Sequence, residues 1–396
     1  MELLRRKYLR LLNFIKTDFK RYLYNDIDWN SNFIIIKGQR GVGKTTLMLQ
    51  YIKSNIQDFN KSLYISLDDI YFAHNTLSNL VEKFVINGGT HLFIDEIHRY
   101  VSWSKELKNI YDFYPELKIV ATGSSALEIK KGEADLSRRA SVYHLHEMSF
   151  REYLSLMYGN NFQIIKLDEI IINHESIATD INKEIKTIPL HKEYLQQGAY
   201  PFVKRKDIQF YDKLNSVINI IIDNDIPAIE NITYETSVKL KKLLYLITTA
   251  VPFKPNISEL SKKVGTSRDM LLKYIYLLSG AGIINFITHT GVAGSLLRKP
   301  DKIYLNNTTL MYALHNNPNI GTIRETFFLN QLMAKHLVAY PKVGDFLIDN
   351  KYLFEVGGKN KTQKQIAGIK NSFIVADDIE YGFGNKIPLW LFGFLY

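Results

Sequence analysis

The sequence predicts an α/β chain: a parallel-sheet core, then a helical lid, a winged-helix segment and a small terminal α/β domain. Three observations predict it. Four short apolar runs, FIIIK (33–37), SLYISL (62–67), HLFID (91–95) and LKIVATG (117–123), alternate with helical stretches, the pattern of parallel strands covered on both faces. The first run passes straight into a glycine-rich loop and a helix. And 396 residues with 46% hydrophobic and 23% charged content are globular values over more chain than one core organises, so several domains follow.

Each element has its own signal. In residues 1–30, Leu4, Tyr8, Leu11, Leu12, Ile15, Phe19 and Tyr22 recur at helical steps over 3–22, with Arg5, Arg6, Arg10, Lys16 and Lys20 mostly opposite. That is a basic amphipathic helix, whose default use is packing on the next domain, with a membrane surface or nucleic acid as the alternatives. Residues 31–150 are the sheet domain. Residues 151–253 read as mostly helical and form the lid. In 254–306, Pro255-Asn256 opens a helix that Gly265 ends, and Thr266 or Ser267 caps a second from Arg268 to Leu278. INFIT and DKIYL then make a two-stranded wing around Gly291 and Gly294. Residues 307–396 offer one helix, TIRETFFLNQLMAKHL, and strands around DFLID, YLFEV, SFIVAD and LWLFGF.

Composition excludes several classes. No uncharged apolar run reaches the roughly 18 residues of a membrane span, and MELLRRKYLR lacks the form of a secretion signal. With no cysteine there is neither a disulfide framework nor a thiolate for metal or nucleophilic work, and a cytoplasmic setting is expected. The net charge of +10 is concentrated: residues 1–21 hold seven Lys/Arg against two acids, and residues 254–302 eight against three. Such patches make DNA a candidate partner, although many basic proteins bind no polyanion.

The candidate chemistry lies in the sheet domain. Gly38-Gln39-Arg40-Gly41-Val42-Gly43-Lys44-Thr45 fits G-x-x-x-x-G-K-[ST] between a strand and a helix, with Thr46 next. Glycines let backbone N–H groups turn inward on phosphates, Lys44 reaches the β- and γ-phosphates of ATP, and Thr45 ligates Mg²⁺. The third strand delivers Asp95 and Glu96 at its C-terminal edge, Asp95 for the Mg²⁺ shell and Glu96 to deprotonate the attacking water. After the fourth strand, Ala121-Thr122-Gly123-Ser124-Ser125 places hydroxyls near the γ-phosphate; Ser124 is the preferred sensor and Thr122 the alternative. Arg138 or Arg139 is positioned to stabilise charge on a neighbouring subunit's phosphoryl group in a homo-oligomer, and the sequence does not choose between them.

With these motifs in order, the chain resembles the AAA+ superfamily of P-loop NTPases, and more narrowly prokaryotic AAA+ ATPases with a C-terminal restriction-endonuclease-like domain of unknown function. The likeness rests on GQRGVGKTTL, LFIDEIHRYVSW, ATGSSAL, the arginine pair before YHLHEMSFREYL, YLQQGAYPFV, FEVGGKNKTQKQI and IPLWLFG, and covers nearly the whole chain. It implies Mg²⁺-dependent ATP hydrolysis that drives or switches a conformational change on DNA or a protein partner; it implies an architecture rather than a pathway.

Two rivals need the later domains. A DNA-binding switch would use Arg268, Asp269, Lys273 and Tyr276 on the second winged-helix helix, with Lys262, Lys263, Arg298, Lys299 and Lys302 on phosphates. An ATP-gated nuclease would collect Mg²⁺ on Glu325, Asp345 and Glu355. The position for its lysine, two past the last acid, is Gly357, which leaves Lys359 or Gln365 to reach back. A degenerate nuclease fold used for binding or assembly is the preferred reading of this tail.

Overall fold

The computed structural model describes residues 1–123, 136, 138–205, 208–230, 232–249, 254–289 and 299–396. They form two units: Met1–His146 with Asp223–Ile232, and Glu147–Ile222 with Thr233–Tyr396.

The first unit runs α1 (Glu2–Phe14), α2 (Leu23–Asp26), β1 (Phe33–Lys37), α3 (Lys44–Asn55), β2 (Ser62–Ser66), α4 (Leu77–Ile86), β3 (His91–Asp95), α5 (Trp103–Phe113), β4 (Lys118–Gly123) and β5 (Ser141–His144). All five strands are parallel, in the order β2-β3-β4-β1-β5. Phe33 through Ile36 are wholly buried; β-branched side chains, stiff at χ1, suit a strand covered on both faces. Leu80, Trp103 and Leu107 from α4 and α5 join Leu92, Ile94 and Ile119 in one core. Strand β5 carries no apolar run. It lies at the edge with every second residue exposed, so its sequence lacks the signal that marks the other four.

The helix expected over 3–22 stops at Phe14. Side chains from α3 explain the stop: Lys53 Nζ donates to the Ile15 carbonyl at 2.7 Å, and Gln50 Nε2 donates to those of Lys16 and Phe19 at 2.8 and 2.7 Å. These carbonyls find acceptor roles outside a helix, and the chain extends. Leu4, Tyr8 and Leu12 are buried, each stabilising by about 1.5–3 kcal/mol, and the Tyr8 hydroxyl meets Ser62 Oγ on β2 at 2.6 Å. Of its bases, Arg5 donates to the Phe59 carbonyl and Lys7 pairs with Asp69, while Arg6 and Arg10 are exposed.

The second unit opens with helices Phe150–Tyr158, Leu167–Glu184, Thr187–Gln197, Phe210–Ile220 and Tyr234–Thr249. The next pair, Ile257–Val264 and Arg268–Gly280, has the expected caps: Asn256 accepts from the Glu259 amide, Ser267 from that of Met270, and Gly265 turns left-handed at φ 79°. Strands β6 (Ile284–Ile287) and β7 (Lys302–Leu305) pair antiparallel after it; the expected tip at Gly291 and Gly294 lies outside the described residues.

Following helix Ile320–Met333, strands β8 (Val338–Ala339), β9 (Phe346–Ile348), β10 (Tyr352–Gly357), β11 (Ser372–Ala376) and β12 (Lys386–Pro388) form a mixed sheet in the order β12-β11-β10-β9-β8. LWLFGF, expected as a strand, is a 3₁₀ segment, Leu389–Phe394. Its side chains are buried all round, and a short run with no exposed face carries no periodicity by which strand and helix differ. Phe392 packs on Phe328 and Phe354 with ring centroids 4.7 and 5.7 Å apart.

Candidate functional site

The loop after β1 owes its path to its glycines. A Cβ on Gly38 would stand 2.3 Å from the Leu145 carbonyl oxygen, and Leu145 is held there by donating its amide to the Lys37 carbonyl at 2.8 Å. Gly43 takes φ 101° as the cap of α3, a conformation that costs other residues strain. The first amides of α3 lack partners within the helix, and they and the partial positive charge of its N-terminus suit an anion. Lys44 is buried and donates Nζ to the carbonyls of Gly38 and Gln39 at 2.8 and 3.0 Å. Burial lowers its pKa, against the charges of Glu96 and Asp95 that raise it. Gln39 and Val42 are buried, while Gly41 and Thr46 are exposed.

Across the loop, Asp95 closes β3 on the C-terminal edge of the sheet. Thr45 Oγ1 donates to its Oδ2 at 2.6 Å, Tyr64 OH donates to the same oxygen at 3.0 Å, and Thr122 Oγ1 donates to Oδ1. Burial and the neighbouring Glu96 charge push the Asp95 carboxyl up, opposed by the hydrogen bonds from Thr122 and Thr45. Glu96 turns left-handed, φ 54°, which carries its carboxylate out of line with the strand. Its amide donates to Asp95 Oδ1 at 3.1 Å, and His98 Nε2 lies 3.4 Å from its Oε2. That Oε2 is buried with no hydrogen-bond partner among the described residues. Burial holds the His98 pKa down to about 3, so the ring is neutral at ordinary pH. A glycine loop leading into a helix N-terminus, with one ammonium, one hydroxyl and two adjacent carboxylates, can bind a phosphate chain with a divalent cation and activate water beside it.

Residues 30–154 match the family model of an AAA domain. The parallel sheet and its glycine loop lie within this segment, which is thus similar to AAA domains. Residues 188–320 match a second model, a domain of unknown function, DUF8612. The chain is 28% identical over 388 residues to the uncharacterized protein MJ1637 of Methanocaldococcus jannaschii, across 89% of this chain and 80% of that one. Among solved structures, AMPPCP-bound DnaA from Aquifex aeolicus aligns at 13% identity over 70% of this chain and 88% of that one, TM-score 0.28. A structure of katanin self-assembly aligns at 16% identity over 43% of this chain and 60% of that one, TM-score 0.26. Overlaps this loose establish neither fold nor function. No helix among the described residues is long and apolar enough to cross a membrane.

Of the two sensor candidates, Ser124, the preferred one, lies outside the described residues, and Thr122 is one of three hydroxyls that donate to Asp95. The two arginines separate. Arg139 grips Asp112 with Nε and Nη2 at 2.8 and 3.0 Å, whereas Arg138 is exposed. Sequence reasoning missed Tyr64, His98, Arg99, Asp225 and Arg21. Arg21 is buried and donates to the Val42 carbonyl inside the loop and to that of His146 at 2.7 Å. Only Arg99 and His98 carried a signal, as polar residues next to Asp95-Glu96; the others come from distant parts of the chain.

The later candidates look different. Lys302, read as a phosphate contact, is 5% exposed; its Nζ lies 3.0 Å from Glu325 Oε2 and 3.4 Å from Asp345 Oδ1. Burial lowers its pKa, but those two carboxylates outweigh it and the net shift is upward. Asp345 sits one residue ahead of β9 and Glu355 within β10. The residue that reaches Glu355 is Lys361, at 2.5 Å, rather than Lys359, and the Gln365 amide lies against the same carboxylate. Gly357 permits this, since a Cβ there would stand 2.7 Å from Lys361 Cδ. Each acid of the trio is thus ion-paired, and no metal-holding group of three or more His, Asp or Glu occurs among the described residues.

On helix Arg268–Gly280 only Arg268 and Asp269 of the four candidates are exposed; Lys273 and Tyr276 are half-buried, the latter edge-on to Phe286 at 5.1 Å. Lys262, Lys263 and Lys299 are exposed, Lys263 pairing with Glu259, and Arg298 lies outside the described residues.

Proposed function

We propose that the first unit binds ATP and hydrolyses it to ADP and phosphate with Mg²⁺. The observation that carries this reading is the hydrogen bond from Thr45, at the start of α3, to Asp95 at the end of β3, which joins loop and carboxylate into one cradle. Lys44 and the loop amides bind the β- and γ-phosphates. Thr45 and Asp95 would hold Mg²⁺, which supplies positive charge to the phosphate oxygens. The donor set fits a hard cation: one hydroxyl and one buried carboxylate, with Tyr64 and Thr122 fixing the carboxylate's orientation. Glu96 orients the attacking water and takes its proton, and its buried Oε2, without a hydrogen-bond partner among the described residues, supports that role. Gln39, Arg40, Gly41, Val42, Gly43 and Thr46 complete the loop. Arg138, exposed, is the candidate to reach a neighbouring copy's phosphate in a homo-oligomer; Arg139 is engaged with Asp112.

Calorimetric ATP titration and phosphate release test this together. Lys44→Ala is expected to abolish binding, and Glu96→Gln to bind ATP while turnover falls by about two orders of magnitude or more. Full turnover by Glu96→Gln would remove the assignment of the base. Absence of any nucleotide binding by the wild type would remove the reading.

A further inference from the structure

The phosphate site holds more cation than the proposed hydrolysis uses. Arg40, inside the glycine loop, and Arg99, four residues past Asp95, converge on one acid, Asp225: Arg99 Nη2 lies 2.6 Å from Oδ1 and Arg40 Nη1 3.5 Å from Oδ2. Asp225 is 3% exposed. It belongs to Asp223–Ile232, the short segment that packs with Met1–His146 while the chain on both sides of it belongs to the second unit. It also ends a π-helical turn, Ile221–Asp225, a geometry with poorer hydrogen bonding that recurs at functional sites.

The grip is unequal. Arg99 makes a short charge-assisted hydrogen bond. Arg40 makes only a loose ion pair, and its buried Nη1 has no hydrogen-bond acceptor among the described residues. One carboxylate is thus shared by two guanidiniums, and a donor in the phosphate loop is left unsatisfied. A terminal phosphate offers three oxygens and more charge than a carboxylate, and planar guanidinium forks bind it well.

We propose that Asp225 stands in for the terminal phosphate of ATP: it holds Arg40 and Arg99 until the triphosphate arrives, Arg40 then moves to the γ-phosphate, and Asp223–Ile232 loosens. ADP, lacking that group, leaves the latch closed. Arg40 is then a residue that distinguishes ATP from ADP, and Asp225 sets how strongly. The inference rests on the ATP reading above, and it concerns residues that the hydrolytic step does not use.

The test is titration of the full chain with ADP and with a non-hydrolysable ATP analogue, alongside hydrogen exchange over residues 221–232. Asp225→Asn is expected to tighten the analogue relative to ADP by roughly fivefold or more, because the arginines no longer face a competing charge. Arg40→Ala is expected to erase the wild-type preference for the analogue. In the wild type, the analogue but not ADP speeds exchange over 221–232, and in Asp225→Asn exchange there is fast without nucleotide.

Unchanged discrimination in Asp225→Asn, or exchange that ignores the analogue, overturns the latch while leaving ATP binding intact. Should Asp225→Asn fail to fold, Arg40→Ala and the wild-type exchange decide. A wild type that binds neither nucleotide overturns both readings.

Discussion

Asp95 is more heavily supported than a residue needs to be for strand geometry alone. Three hydroxyls, from Thr45, Tyr64 and Thr122, point at one buried carboxylate, and each comes from a different element. If that carboxylate serves a metal, the bond from Thr122 matters for aim more than for fold. Thr122→Val keeps the shape of the side chain and deletes the donor. It is expected to lower ATP turnover about tenfold, equivalent to roughly 1.4 kcal/mol in the transition state, with nucleotide binding largely retained. Steady-state kinetics beside a binding titration separate the two, and a loss confined to binding would contradict this use of the residue.

At the level of elements, the first helix and the chain after it act as a brace. Arg21 reaches from that chain into the phosphate loop, so the loop's shape depends on a segment outside the sheet. Arg21→Ala leaves the Val42 and His146 carbonyls without their donor, a loss of about 1–3 kcal/mol. Both thermal stability and nucleotide affinity should fall. Arg6→Ala, which removes only an exposed pair with Glu2, should change stability by less than about 0.5 kcal/mol. Equal effects from the two would mean that Arg21 contributes charge rather than position.

Strands β1 to β4, the loop and Asp95-Glu96 were legible in the sequence because each is a contiguous word: an apolar run, a glycine spacing, a run that ends in acids. Tyr64, Arg21 and Asp225 were not, since each meets the site only after the chain has folded back on it, and nothing in their neighbours marks them. Lys302 was misread for the same reason: its sequence neighbours are basic, but its spatial neighbours are Glu325 and Asp345. Strand β5 and the 3₁₀ segment at Leu389–Phe394 were missed because edge exposure and all-round burial erase the period on which such assignments depend.

The molecule as a whole should be sensitive to mild acid. His98, in the first unit, and His191, in the second, are buried and neutral, with pKa values lowered by burial from 6.5 to about 3 and about 4. Between those values and 6.5 the unfolded chain binds protons that the folded chain refuses. Stability is therefore intact above 6.5 and drains away as pH falls toward 4, each histidine adding a slope of about 1.4 kcal/mol per pH unit. Carboxyls raised by burial, such as Asp225 and Glu355, act in the opposite sense, so a paired comparison is needed. His191 packs against Phe150 and Phe327, ring centroids 5.2 and 4.7 Å away, and its Nε2 has no partner among the described residues. His191→Phe should flatten the curve of urea-measured stability against pH between 6.5 and 4; an unchanged slope would mean that His191 is not neutral in the fold.

The π-helical turn before residue 226 has a geometric corollary. Such a turn accommodates one residue beyond what regular α-helical winding uses, and each residue of an α-helix advances the side-chain direction by about 100°. Wound regularly, the same stretch would aim Asp225 roughly a quarter-turn away from Arg40 and Arg99. Contact between this acid and the phosphate loop is thus a matter of counting: a lone surplus residue in the coil decides whether the two guanidiniums have a carboxylate to hold.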